Sequence, residues 1–122
     1  MADLSFAQLR RANTERCAPP WFRETIDEWS PCDWVTALVG EVGEAANLIK
    51  KVHRGDFQID DPLPNDLQKR TVRQAIADEL ADVACYLDLL AQRCGVDLGT
   101  AVIRKFNIVS DRVSCPIKLG DR

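Results

Sequence analysis

The sequence predicts an all-α fold, a single unit of four helices. Three observations carry that expectation. Apolar residues recur at three- and four-residue spacing through two long stretches, about 31–53 and 66–93, which is the period of one helix face. Residues that start and stop helices fall at the ends of those stretches. Nothing along the chain reads convincingly as a strand.

Residues 3–16 form the first expected helix, with Phe6, Leu9 and Ala12 or Asn13 on its apolar stripe and Arg10, Arg11, Glu15 and Arg16 facing out. Pro19-Pro20 stop it, because proline lacks the amide donor and restricts its predecessor. Trp21 to Trp29 is a connecting stretch with room for a helical turn. Trp21, Phe22, Ile26 and Trp29 are too many large apolar groups for a solvated linker, so they are expected to pack on the domain or on a partner. Ser30-Pro31-Cys32-Asp33 is a helix start: serine caps, proline suits the first helical position, and an acid follows in the first turn.

The second helix then runs over about 31–53. Its stripe (Trp34/Val35, Leu38/Val39, Val42, Ala45/Ala46, Ile49, Val52) is wide enough for burial on more than one side. Residues 54–65 are a loop punctuated by Gly55, Pro62 and Pro64. Asn65 is placed as the cap of the third helix, which ends near Arg93, before Gly95. Val72, Ile76, Leu80, Val83, Leu87 and Leu90 form its core stripe, and Glu79, Asp82 and Tyr86 follow the same rhythm beside it. Asp97 caps a fourth helix, about 98–113, with Leu98, Val102, Phe106 and Val109 as its apolar positions. The whole chain reads as one domain: the N-terminal helix 3–16, a core of about 30–113, and a tail, 114–122.

A length of 122 residues suffices for one core. The net charge is −3 and the basic residues are dispersed, which argues against a nucleic-acid polymer as partner. No apolar run approaches the roughly 20 residues that span a bilayer, and the N-terminus lacks a signal peptide's apolar core. The five cysteines, an odd number with no Cys-x-x-Cys, read as reduced thiols in a cytoplasmic protein, with Cys85 a small core residue.

The chemistry concentrates in two runs. In Gly40-Glu41-Val42-Gly43-Glu44-Ala45-Ala46, two glutamates stand three apart among apolar residues and glycines. In Asp78-Glu79-Leu80-Ala81-Asp82-Val83 the device recurs with Glu79 and Asp82. Helix residues three apart are neighbours, their Cβ atoms roughly 5–6 Å apart. Carboxylates are seldom buried without a partner, and four brought together repel unless a cation neutralises them. Magnesium is the natural occupant, being hard and oxygen-seeking and often completed by substrate phosphates. The only histidine, His53, is not three from any glutamate, which counts against a di-iron carboxylate bundle. Gly40 and Gly43 each cost about 1 kcal/mol in a helix interior. Tight helix packing or clearance for a ligand would each explain them.

Gly-Glu-Val-Gly-Glu-Ala-Ala at 40–46, Asp-Glu-Leu-Ala-Asp-Val at 78–83 and Lys-Phe-Asn-x4-Arg at 105–112 resemble the MazG-like all-α nucleoside triphosphate pyrophosphohydrolases. The resemblance covers roughly residues 30–119 and is nearest to the dCTP-pyrophosphatase-like branch, in which glycine takes the place of the first of two adjacent glutamates. It implies Mg²⁺, with Mn²⁺ as a substitute, held by Glu41, Glu44, Glu79 and Asp82. It implies attack by a metal-activated water that splits a (deoxy)nucleoside triphosphate into monophosphate and pyrophosphate. The residues themselves do not say which carboxylate activates the water. Lys51, Lys105 and Arg112 are candidates for the phosphates, Asn107 for sugar or phosphate, and Trp34 and Tyr86 for the base, with core or dimer packing equally open to Trp34. The resemblance also implies homodimers, often paired into tetramers. Two other readings stand beside it: a phosphoribosyl-ATP pyrophosphatase, and a non-catalytic helical assembly or regulatory module.

Overall fold

Helix α1, Phe6–Arg16, starts three residues later than the apolar stripe suggests because Ser5 sets its N-terminus. The Ser5 hydroxyl accepts from the Gln8 amide at 3.1 Å, and the Gln8 side chain accepts from the Ser5 amide at 2.7 Å. This reciprocal cap satisfies two donors that would otherwise be orphaned. A single 3₁₀ turn, Ile26–Glu28, leads to α2, Pro31–His53, whose ends agree with the sequence reading. Ser30 and Asp33 form a second reciprocal cap there, with Pro31 in the first turn. Then follow α3, Val72–Arg93, and α4, Leu98–Arg112, the latter capped by Asp97 as expected and one residue shorter than expected. The computed structural model describes residues 2–120. Among these there is no strand, only an isolated antiparallel bridge between Pro62 and Thr71, and no helix is long and apolar enough to cross a membrane.

The start of α3 differs most from expectation. Asn65 is not its cap but a left-handed turn residue, with φ of 60°. The segment that follows is committed to pairing with the residues before it. The amide of Leu63 donates to the Arg70 carbonyl at 2.9 Å, that of Val72 to Asp61 at 2.9 Å, and that of Arg73 to Ile59 at 2.8 Å. Arg70 ties the turn down from within, binding Asp66 and also reaching Asp78 at 2.8 Å. Helix therefore begins only after Thr71, whose hydroxyl accepts from the Gln74 amide while the Gln74 side chain accepts from the Thr71 amide. The cap was visible as Thr-x-x-Gln, six residues beyond Asn65.

The chain divides into two compact units. One is residues 29–87; the other combines the residues up to 28 with those from 88 onward. In the first, the buried residues are Trp34, Ala45, Val72 and Ala75. Two of the four are alanines, which let helices approach closely. In the second, Cys17, Leu89 and Ala91 are buried around a polar pair. Asn13 donates to the Asp88 carboxylate at 2.9 Å, and Gln92 donates to the same oxygen at 2.8 Å. A buried carboxylate with two donors is satisfied rather than costly. The α3 stripe is only partly core: Val72 is fully buried, but Leu80 is 54% exposed. Val39, Val42 and Ile49 of α2 are exposed as well. Trp21, expected to pack, is 74% exposed, and Phe22 is half-exposed beneath the Arg16 guanidinium. Cys85 is half-buried, and none of the five cysteines is in a disulfide.

Candidate active site

Helices α2 and α3 bring their acid runs together within the unit of residues 29–87. Carboxylate oxygens of Glu41, Glu79 and Asp82 all lie within 4.8 Å of one another. Glu41 and Glu79 are half-buried and Asp82 is exposed, so the cluster has a dry side and a wet side. Glu79 sits deepest. Its Oε2 is buried with no hydrogen-bond partner. Burial first, then the Glu41 and Glu44 carboxylates, push its pKa up to about 7. Glu44 lies outside the tight set of three but close enough to bear on Glu79, and it is itself exposed.

Three acids at this spacing, one with an orphaned oxygen, form a donor set of hard oxygens that a divalent cation would satisfy. The residues therefore fit a metal ion. Histidine and cysteine are absent from the cluster, so softer metals have no preferred ligand in it.

Gly40 and Gly43 border the same run. A Cβ built on either would meet nothing within 4 Å. Tight packing within the chain is thus not what they provide, and the space beside the glutamates is open.

An aromatic row adjoins the acids. Tyr86 follows Asp82 by one turn, and its pKa is raised by burial and by the charges of Glu41 and Asp82. Its ring lies 6.2 Å from Trp34, which in turn lies 4.5 Å from Trp29. Trp34 is only 5% exposed, so it is packed between its two aromatic neighbours and presents little face for stacking on a base. Trp29 is half-buried and borders a cleft of about 550 Å³ with Asp33, Thr36 and Ala37. In sequence, Asp33 reads only as a first-turn acid and Trp29 only as packing. The signal that would have found them is the four-residue step from Asp33 through Ala37 to Glu41.

The basic candidates are dispersed. Lys51 is half-buried near the end of α2, in the unit of the acids. Lys105, Asn107 and Arg112 lie on α4, in the other unit, with Lys105 and Arg112 exposed. Asn107 holds the tail: its Nδ2 donates to the Leu119 carbonyl at 2.9 Å and its Oδ1 accepts from the Leu119 amide at 2.8 Å. Lys118 pairs with Asp111 beside it.

No protein-family model matches the chain. Similarity to curated proteins is clear. Human (Homo sapiens) dCTP pyrophosphatase 1 is 44% identical over 100 residues, which is 82% of this chain and 54% of that protein. The rat (Rattus norvegicus) protein of the same name is 42% identical over 112 residues, 92% of this chain and 59% of its own length. The bovine (Bos taurus) one is 39% identical over 119 residues, 98% and 64% respectively. The chain thus spans somewhat over half the length of these relatives. With identity of 39–44% over 82–98% of its length and an all-helical fold of four helices, the chain is similar to proteins named dCTP pyrophosphatase 1, whose superfamily is that of the MazG-like all-α nucleoside triphosphate pyrophosphohydrolases.

Proposed function

We propose that this chain hydrolyses a deoxynucleoside triphosphate to the monophosphate and pyrophosphate in the presence of Mg²⁺, with dCTP the first candidate substrate. The observation that carries the reading is the Glu41–Glu79–Asp82 cluster with its buried, unpartnered Glu79 oxygen. The relatives' name supplies the candidate base.

Glu41, Glu79 and Asp82 would hold the ion. When bound, Mg²⁺ screens the charge of the phosphate chain and makes nearby water more acidic. Glu44, outside the tight set and exposed, is assigned to orient the attacking water and take its proton. The open space at Gly40 and Gly43 admits the phosphates close to the α2 backbone. Lys51, half-buried in the unit of the acids, is assigned to the phosphate oxygens. Tyr86 is assigned to the nucleoside end, with Trp34 as the support behind it. Positioning and charge stabilisation then account for most of the rate.

We further assign the chain to homodimers or dimers of dimers, supported by exposed apolar side chains on α2 and α3 that a second copy would cover. A cytoplasmic location is supported by five cysteines of which none is in a disulfide.

Incubation with a nucleotide panel and Mg²⁺, with products identified, tests the reaction. Monophosphate and pyrophosphate are expected. Glu41→Gln and Asp82→Asn should each lower kcat/KM by roughly 100-fold or more, the scale at which loss of one electrostatic group in a site is felt. Unchanged rates in both variants would sink the assignment.

A further inference from the structure

The side of α3 that carries the acids begins on small residues. Val72, Ala75, Glu79 and Asp82 succeed one another by three, four and three residues, so they share one side of the helix. Val72 and Ala75 are buried, but both are short and neither keys the helix against turning about its axis. The carboxylates that follow repel one another when no cation lies between them. What grips α3 at this level is Arg70. Its Nε and Nη2 donate to the two oxygens of Asp66, each at 3.1 Å, and its Nη1 donates to Asp78 Oδ2 at 2.8 Å. The loop behind it is fastened in turn: Asp66 accepts from the Arg70 amide at 2.8 Å, and the Leu63 amide donates to the Arg70 carbonyl at 2.9 Å. Asp78 immediately precedes Glu79 and stands about 100° around the helix from it. A hold on Asp78 is therefore a hold on the flank of α3, where it resists rotation. At the helix surface, roughly 5–6 Å from the axis, a turn of about 10° moves an oxygen by about 1 Å.

We propose that Arg70, acting through Asp78, is a positioning residue for the carboxylate cluster: it sets the rotation of α3 so that Glu79 and Asp82 meet Glu41 at a separation suited to a small octahedral ion, Mg²⁺, over a larger one, Ca²⁺. The inference rests on the metal-site reading above. Mg²⁺ demands near-ideal octahedral geometry at about 2.0–2.1 Å, whereas Ca²⁺ accepts irregular cages at about 2.3–2.6 Å. A displacement of about 1 Å therefore weakens Mg²⁺ more than Ca²⁺. Charge alone predicts something else. Loss of a nearby guanidinium would tighten the binding of any dication, and of two ions of equal charge by about the same factor. Arg73 supplies the comparison. It makes the same kind of fork, to Asp60 at 2.8 and 3.2 Å, and it too joins the loop to α3. That fork ends on Asp60, outside the acid run, so it has no hold beside Glu79.

The test measures binding of the ions themselves. Mg²⁺ and Ca²⁺ are each titrated by calorimetry into the wild type, Arg70→Gln, Asp78→Ala and Arg73→Gln, without nucleotide, and each protein is melted without metal. Arg70→Gln and Asp78→Ala should each weaken Mg²⁺ by about 10-fold, the low end for a residue that supports metal ligands from behind. Ca²⁺ should lose distinctly less, so the ratio of the two affinities falls. Asp78 has a side chain that is mostly exposed, and Asp78→Ala keeps the fork between Arg70 and Asp66, so this variant tests the proposal even if Arg70→Gln does not fold. Arg73→Gln should keep the ratio, whatever it does to the melt. Tighter Mg²⁺ in Arg70→Gln, loss of both ions by one factor in Asp78→Ala, or an equal fall of the ratio in Arg73→Gln overturns the proposal. A wild type that binds neither ion sinks the metal-site reading and this inference with it. A wild type that binds Mg²⁺ with a ratio indifferent to Arg70 and Asp78 sinks this inference alone.

Discussion

In the metal-free protein, Glu79 holds a proton near neutral pH, because burial and the neighbouring glutamates disfavour its charge. Its pKa is about 7 in the fold against an ordinary value of 4.5, so the folded state binds the proton more tightly than the unfolded chain. The stabilisation is complete at pH below the unfolded value and is lost as pH rises through the folded one. Metal-free protein should therefore melt at a lower temperature at pH 8 than at pH 5, once other groups are matched by comparison with Glu79→Gln, in which this component of the pH slope disappears. Mg²⁺ at a hundredfold excess over Kd should stabilise the wild type by about 2.7 kcal/mol and raise its melting temperature most at pH 8, and should do little for Glu79→Gln. Equal slopes in the two proteins would remove Glu79 as the source. The i, i+3 spacing of the acids was legible in the sequence because helix geometry is local. Which of them is deepest was not, since burial depends on what a second helix brings.

Helices announced themselves by period and cap, and the ends of α2 and α4 were legible to within a residue. The start of α3 was not, because residues 61–71 pair with one another and that pairing outweighs the helical run of the sequence. The glycines of α2 belong to this scale as well. With nothing within 4 Å of an added Cβ, Gly43→Ala meets no obstacle within the chain. It should stabilise the metal-free protein by roughly 1 kcal/mol, the helix-propensity difference, while lowering kcat/KM if phosphates pass there. Denaturant melts and steady-state kinetics check the two halves separately. A loss of stability would mean that Gly43 packs against another copy of the chain.

For the molecule as a whole, the hydrophobic pattern told which helix faces avoid water but not what covers them. The wide stripe of α2 predicts burial on more than one side, yet Val39 is 62% exposed in the single chain. A periodicity is the same whether the covering surface comes from the same chain or from another. Light scattering at micromolar concentration should find a dimer or tetramer. Val39→Glu, which would place a charge in each copy of the contact, should shift it to the monomer; a monomeric wild type would refute the assembly. The two-unit division also escaped the sequence reading, since α3 contributes to both units without any break in its pattern.

The grip of Asn107 on Leu119 has a consequence in terms of valence. A primary amide offers two protons and two lone pairs. The tail takes one of each, and in doing so turns the side chain into a mimic of a backbone strand edge. The remaining proton and lone pair stay unspent on Leu119. Holding the tail and meeting a ligand are therefore not rival uses of Asn107. They are the two halves of one planar group, so the tail, by fixing that plane, also sets the direction in which the other half can bond.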